Sequence, residues 1–270
     1  MYTQIIFSNI AEEIKDIVIA SLQDKAEGFE ETDHELKAIF LTEQFDEASI
    51  NEIASAHHIL YQKEKIETQN WNALWESNFS PVVVDGFVGI RASFHEPMKG
   101  VEHEIVITPK MSFGTGHHAT THLMMQQMQK IDFTNKAVFD FGTGTGVLAI
   151  LAHKLGASSV VANDIDDWSI ANAKENFEKN DTAGISLIQS DSGLLDQKFD
   201  IILANINRNV LINNIPVLSN QLKEKGVIIL SGILEEDEEI ITNTAQSSQL
   251  DLVEKISRNK WICLIFSYES

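Results

Sequence analysis

The residues best placed to do chemistry are three glycines, an acid and an amide, each at the end of an apolar run. Ala137-Val138-Phe139-Asp140-Phe141 leads into Gly142-Thr143-Gly144-Thr145-Gly146, and the next apolar run closes on Asp164, 22 residues after Gly142. A strand, a glycine-rich turn, a helix and a second strand ending in an acid set backbone N–H groups and a helix N-terminus beside a carboxylate. That arrangement suits a nucleoside, with Asp164 accepting hydrogen bonds from two ribose hydroxyls. Gly142 and Gly144 permit a backbone approach that a Cβ would block. A dinucleotide fingerprint would need glycine at 147, where Val147 stands, so a nicotinamide oxidoreductase is disfavoured. Asp140 closes the first strand and is a candidate to hold an amino group, directly or through water. Asp166 and Asp167 read as helix caps. Asp191 is either an adenine contact or a loop acid. Asn205 follows the apolar run Phe199–Ala204, where open α/β sheets bind ligands. Its amide carbonyl could orient the lone pair of an attacking amine without retaining positive charge as a carboxylate would. The bland alternative for Asn205 is a turn residue.

A second glycine-rich stretch, Phe113-Gly114-Thr115-Gly116-His117-His118-Ala119-Thr120-Thr121-His122, precedes an amphipathic run to Met128. Two such loops ahead of one sheet suggest that one covers a cofactor lying on the other. His118 and His122 stand four apart, but no third ligand accompanies them and no metal site is expected. No nucleophilic serine or cysteine constellation is visible. Ile206-Asn207-Arg208 differs from the Pro-Pro-aromatic sequence of DNA adenine methyltransferases, so base flipping would lack its stacking ring.

The elements that must position these residues fall into two parts. Thr3–Phe7, Ala11–Leu22, Gly28–Thr32, Leu36–Leu41 and a helix capped by Asp46 read as β-α-β-β-α, a small α+β domain of the ferredoxin-like kind over 1–60. Its two central strands should turn at Asp33-His34. Residues 61–80 read as a linker helix, with Trp71, Trp75 and Phe79 recurring every four residues on one face, either as a packing seam or as a substrate contact. From 81 to 270, strands at Val82–Ile90 and Glu104–Thr108 precede alternating strands and helices. That alternation means a parallel α/β sheet. Leu252–Ile256 and Trp261–Ser267, separated by a short connection, should be antiparallel neighbours.

The 270 residues are 43% hydrophobic and 22% charged, ordinary for a globular protein. A net charge of −20 disfavours direct binding to nucleic acid and suits a basic partner. The single cysteine, Cys263, lies in an apolar run and is expected to be a buried, inert thiol. No secretory signal and no run of membrane-spanning length is apparent, so a cytoplasmic location without membrane contact is expected.

These motifs together resemble the PrmA family, bacterial methyltransferases of ribosomal protein eleven of the large subunit. The resemblance runs through Trp71-x-x-x-Trp75-x-x-x-Phe79-x-Pro81, Gly114 to Thr121, Asp140–Gly146, Asp164-Ile165-Asp166, Ala204-Asn205-Ile206 and Leu230–Leu234. His117 stands where the family carries threonine, Ala119 where it carries proline, and Asn207 where it carries leucine. The resemblance implies a Rossmann-like class I S-adenosylmethionine-dependent methyltransferase fold behind the small N-terminal domain. It also implies S-adenosylmethionine contacts from Thr121, Gly142, Gly144, Asp164 and Asn205, with Asn205 catalytic. The implied substrates are lysine side chains and the N-terminal amine of ribosomal protein eleven, recognised by the N-terminal domain, and a monomer is expected. An RNA or small-molecule methyltransferase on the same fold and a non-catalytic cofactor-binding adaptor remain the alternatives. The negative charge weighs against the first, and Asp140, Asp164 and Asn205 weigh against the second.

Overall fold

The structure is a computed structural model that describes all residues except 1, 9, 23–24, 32–34, 44, 67–78, 110–113, 183 and 269–270. The chain forms two compact units, Met1–Ser77 and Asn78–Ser270.

In the first unit, β1 (Tyr2–Ser8), α1 (Glu12–Leu22), β2 (Gly28–Glu31), β3 (Glu35–Leu41), α2 (Glu47–His57) and β4 (Tyr61–Ile66) follow in order. The sheet order is β4-β1-β3-β2, with every pairing antiparallel. Strict alternation builds it: Thr3, Ile5 and Phe7 of β1 and Leu36, Ala38 and Phe40 of β3 are buried. Val18 and Leu22 of α1 and Ile50 of α2 meet them, whereas Ile17 of α1 is 41% exposed. The Asp46 side chain caps α2, accepting from the Ala48 N–H at 3.0 Å.

The linker helix expected over 61–80 requires correction in its first part. Tyr61–Ile66 is a strand paired with β1, and it completes the ferredoxin-like order. Gln62, Lys63, Glu64 and Lys65 are exposed, so the segment carries little apolar alternation. Only pairing with a strand some 55 positions away in the chain makes it a strand, for example Phe7 with Tyr61. Residues 67–78 of the expected helix, with Trp71 and Trp75, lie outside the described residues, as does the turn at Asp33-His34. Phe79, buried, and Ser80 are not helical, so the expected helix does not reach residue 80.

The second unit opens with β5 (Val82–Val84), β6 (Val88–Ala92) and β7 (His103–Ile107) in a three-stranded sheet. The single strand expected over Val82–Ile90 is thus a hairpin. Asp85 and Gly86 both take positive φ, 50° and 71°, and the Phe87 N–H closes the turn on the Val84 carbonyl at 2.9 Å. Asp-Gly between apolar residues is the signal that marks such a turn. The free edge of β7 is satisfied by side chains. Asn180 exchanges hydrogen bonds with the Val106 N–H and carbonyl at 2.9 and 2.7 Å, and Asn176 Oδ1 accepts from the Thr108 N–H at 2.8 Å.

The main sheet follows: α3 (Ala119–Met128), β8 (Ala137–Phe141), α4 (Val147–Lys154), β9 (Ser159–Asp164), α5 (Asp167–Lys179), β10 (Ser186–Gln189), β11 (Phe199–Asn205), α6 (Arg208–Asn220), β12 (Leu222–Leu234), α7 (Glu238–Ser247), β13 (Leu250–Arg258) and β14 (Trp261–Tyr268). A 3-10 turn, Glu235–Asp237, precedes α7. Strand order is β10-β9-β8-β11-β12-β14-β13. The first five are parallel and doubly wound, as expected for a Rossmann-like sheet, and β13–β14 is the expected antiparallel pair. Strand order reverses between β8 and β11, so the crevice of the switch point lies beyond Phe141 and Asn205. Two apolar clusters fill the unit, one around Met124, Val138, Ile150 and Leu203, the other around Phe139, Ile202, Leu211 and Leu264. Cys263 is wholly buried and its thiol is pushed above its ordinary pKa by burial, as its apolar run implied.

Candidate active site

The chemistry-bearing residues converge at the switch point. The Gly142–Gly146 turn leaves β8 with positive φ at all three glycines. Their threonine neighbours are anchors: Thr143 Oγ1 donates to Asp140 Oδ2 at 2.6 Å and Thr145 Oγ1 to the Gly114 carbonyl at 2.8 Å. The turn hangs from the end of β9. The Gly142 and Thr143 N–H groups reach the Asn163 carbonyl at 3.1 and 2.8 Å, and the Gly144 N–H reaches Asp164 Oδ2 at 2.8 Å. Asp164 Oδ1 accepts from the Asp166 N–H at 3.1 Å. An ionised carboxylate has about four acceptor positions, so Asp164 keeps capacity toward the crevice.

A cavity of about 560 Å³ fills that crevice, with Gly142, Gly144, Asp164, Asp191 and Asn205 among the residues in its wall. Its volume is in the range of small-molecule sites, roughly 300–1,000 Å³. Thr121 stands behind this wall. Its Oγ1 accepts from Asn205 Nδ2 at 3.3 Å, and Thr121 is 1% exposed. That contact occupies one of the two Nδ2 hydrogens, while Oδ1 is buried without a hydrogen-bond partner in the chain. A buried acceptor without a donor costs about 1–3 kcal/mol. It therefore marks a place where an N–H from a ligand would be stabilising.

Backbone approach holds Asn205 in place. A Cβ on Gly232 would come 2.2 Å from the Ile206 carbonyl oxygen, and one on Gly142 would come 2.3 Å from Ile206 Cγ2. Both glycines let Ile206, the neighbour of Asn205, lie flat between two strand ends. Asn207 caps α6, its Oδ1 accepting from the Val210 N–H at 3.1 Å, and also lines the cavity.

Asp140 is 1% exposed and lies beneath the turn. Burial raises its carboxyl to a pKa of about 7, against the opposing hydrogen bond from Thr143. Asp166 caps α5 as expected, accepting from the Ser169 N–H at 3.0 Å. His118 lines the cavity with its ring edge-to-face on Trp261, centroids 4.6 Å apart, and burial lowers its pKa. His122 instead sits with Nε2 2.7 Å from Arg258 Nη1. Burial first, and then that guanidinium, lower its pKa, so the neutral ring accepts from Arg258. The two histidines thus serve separate contacts, and no group of three metal-ligating side chains occurs among the described residues.

Sequence reasoning missed Asn163, Ile165 and Trp261. Asn163 ties the turn to the segment after β10, with Nδ2 donating to the Ser190 and Ser192 carbonyls at 3.1 and 3.2 Å. An amide interrupting the apolar run Val160-Val161-Ala162 was a usable signal. Ile165, 66% exposed, offers the cavity an apolar wall, and Trp261 reaches it only through pairing with Leu234. Neither announces itself in one dimension. A glycine turn at a helix start, the Asp164 carboxylate and the orphaned Asn205 acceptor fit a nucleoside carrying an amino-acid arm.

Comparison with known proteins agrees with this geometry. Residues 5–269 match the family described as "Ribosomal protein L11 methyltransferase (PrmA)". The ribosomal protein L11 methyltransferase of Porphyromonas gingivalis is 44% identical over 213 residues, 78% of this chain and 73% of that protein. That of Bacteroides thetaiotaomicron is 34% identical over 270 residues, 97% and 96% of the two chains. The crystal structure of the ribosomal protein L11 methylase from Lactobacillus delbrueckii subsp. bulgaricus superposes with a TM-score of 0.67 at 33% identity, covering 71% of this chain and all of that one. The second unit has the class I methyltransferase fold expected, and S-adenosylmethionine is the methyl donor of this fold and family. With a match over nearly its whole length, this chain belongs to the ribosomal protein L11 methyltransferase (PrmA) family.

Proposed function

We propose that the chain methylates amino groups of ribosomal protein L11, on lysine side chains and at the N-terminus. The observation that carries this reading is Asn205 Oδ1: buried, without a partner, and held by Thr121 at the wall of the crevice. It requires an N–H donor, and a substrate amine supplies one.

S-adenosylmethionine supplies an electrophilic methyl carried on sulfur. Asp164 would hold the ribose hydroxyls, and Gly142 and Gly144, lacking a Cβ, would let the amino-acid arm lie against the turn. Thr121 acts through Asn205 by fixing the amide's rotamer. A free lysine has a pKa of about 10.4 and is protonated near neutrality, so it must lose a proton, to solvent water, before it can attack. Asn205 accepts an N–H from the neutral amine and so aims the opposite lone pair. Being uncharged, it does not hold the amine as an ammonium, which Asp at this position would do. Orientation of this kind can supply roughly 7–11 kcal/mol of the barrier in a transfer between two bound groups.

The net charge of −20 suits a basic substrate and opposes direct nucleic-acid binding. The 1–60 domain serves as the recognition module in this reading, and 61–80 joins it to the catalytic domain at 81–270. A monomer acting in the cytoplasm accords with the assignment. Among the described residues no helix is long and apolar enough to cross a membrane. The test is methyl transfer from labelled S-adenosylmethionine to purified L11, mapped by mass, with Asn205→Ala as control. Single-methyl mass steps on amines, lost in the control, are expected. Cofactor binding with no transfer to L11 would refute the substrate assignment.

A further inference from the structure

Within Gly142–Gly146 the glycines serve the crevice and the threonines serve the scaffold, but the two threonines face different partners. Thr143 reaches down to Asp140 of β8, whereas Thr145 reaches across to another loop. Thr145 is fully buried. Its hydroxyl donates to the Gly114 carbonyl at 2.8 Å, and its own carbonyl accepts from Asn176 Nδ2 of α5 at 2.8 Å. Gly114 has φ +102°, and a Cβ there would come 2.9 Å from Thr145 Oγ1, so the contact is close as well as bonded. Gly114, Thr121, Gly142, Thr145 and Asn205 surround one small void of about 10 Å³. The two glycine-rich loops are therefore separated by no more than a water's width at this point.

The segment that Thr145 grips continues to His118 in the cavity wall and to Thr121, which fixes the Asn205 amide. We propose that Thr145 is a positioning residue: its hydroxyl sets the second loop against the first, and through Thr121 sets where Asn205 Oδ1 sits. This inference rests on the assignment of the crevice to S-adenosylmethionine and is independent of the protein substrate. A hydroxyl is required because the partner is a carbonyl, which only accepts. Valine matches threonine in shape and cannot donate, whereas serine donates and lacks only the methyl.

The test compares Thr145→Val and Thr145→Ser in the full chain, with calorimetric titration of S-adenosylmethionine, single-turnover methyl transfer and thermal unfolding. Loss of the donated bond should raise the Kd about tenfold in Thr145→Val, the equivalent of about 1.4 kcal/mol, and slow transfer at saturating cofactor. Thr145→Ser should stay within about twofold of the wild type. A merely structural role would lower the melting temperature of both variants and leave the Kd unmoved. That result would overturn the inference, as would Thr145→Ser failing alongside Thr145→Val. Should Thr145→Val not fold, Thr145→Ala removes the same hydroxyl without added bulk and is judged by the same criteria. Wild-type protein that binds cofactor yet leaves L11 unmodified defeats the substrate reading alone, because the Kd comparison still decides the role of Thr145.

Discussion

Replacing Asn176 by alanine would test how the cofactor turn is tied to its surroundings. Asn176 is wholly buried on α5. Its Oδ1 accepts from the Thr108 N–H at 2.8 Å, and its Nδ2 donates to the Thr145 carbonyl at 2.8 Å and to Asn172 Oδ1 at 2.9 Å. Truncation orphans the buried Thr145 carbonyl and the part-buried Thr108 N–H, each at about 1–3 kcal/mol. Asn172 keeps other interactions and adds less. The expected loss is about 4 kcal/mol, a large share of the roughly 5–15 kcal/mol typical of a folded domain. For a unit near 190 residues that corresponds to a fall in melting temperature of roughly 8–16 °C. Thermal and urea unfolding followed by circular dichroism would measure it.

Asn176→Asp sharpens the test, since the carboxylate keeps the acceptor for Thr108 but turns a second acceptor toward the Thr145 carbonyl. Burial and that carbonyl favour its protonated form, raising the folded pKa above the unfolded value of about 3.9. Its stability should therefore be greatest below that unfolded value and decline as the pH rises toward the folded one. A loss under about 1 kcal/mol for Asn176→Ala, or no pH dependence of Asn176→Asp relative to the wild type, would refute the reasoning.

Other outcomes follow from the same geometry. Asp140, raised to about 7 by burial, favours its protonated form in the folded state, so its contribution is present below about pH 3.9 and is lost as pH rises through 7. Asp140→Asn should gain stability relative to the wild type across that window, by up to about 4 kcal/mol at 1.36 kcal/mol per pH unit, and a pH-independent difference in urea titrations would contradict the assignment. Gly232→Ala meets the Ile206 carbonyl oxygen at 2.2 Å with φ +88°, and should cost about 3 kcal/mol while displacing Asn205. Transfer activity should fall more than tenfold, and wild-type turnover would show that the Ile206 contact does not position the amide. Asp164→Ala removes the anchor of the Gly144 N–H together with the ribose acceptor, and calorimetry should show the S-adenosylmethionine Kd rising roughly a hundredfold. Cys263, wholly buried, should resist thiol reagents in the native protein and react at once in denaturant.

Much of the catalytic unit was legible in the sequence because its signals are local. Apolar runs of strand length, separated by helical periodicity and punctuated by Gly142 and Asn205, determine a parallel sheet whose ligand end must carry the glycine turn, Asp164 and Asn205. Helix caps such as Asp46 and Asp166 obey the same local rule, since a side chain two or three residues away satisfies an orphan N–H.

What the sequence concealed depended on partners distant in the chain. Tyr61–Ile66 is a strand only because β1 offers it hydrogen bonds, and Val82–Ile90 divides because Asp85-Gly86 turns it back. The division of labour around Asn205 was also invisible in one dimension. Thr121 lies 84 positions away and stands behind the amide, and Gly232 matters for the Cβ it lacks against Ile206. Residue types and their spacing determine which groups are available. Close packing between remote segments decides which atoms of those groups are already paired and which, like Asn205 Oδ1, are left without a partner in the chain.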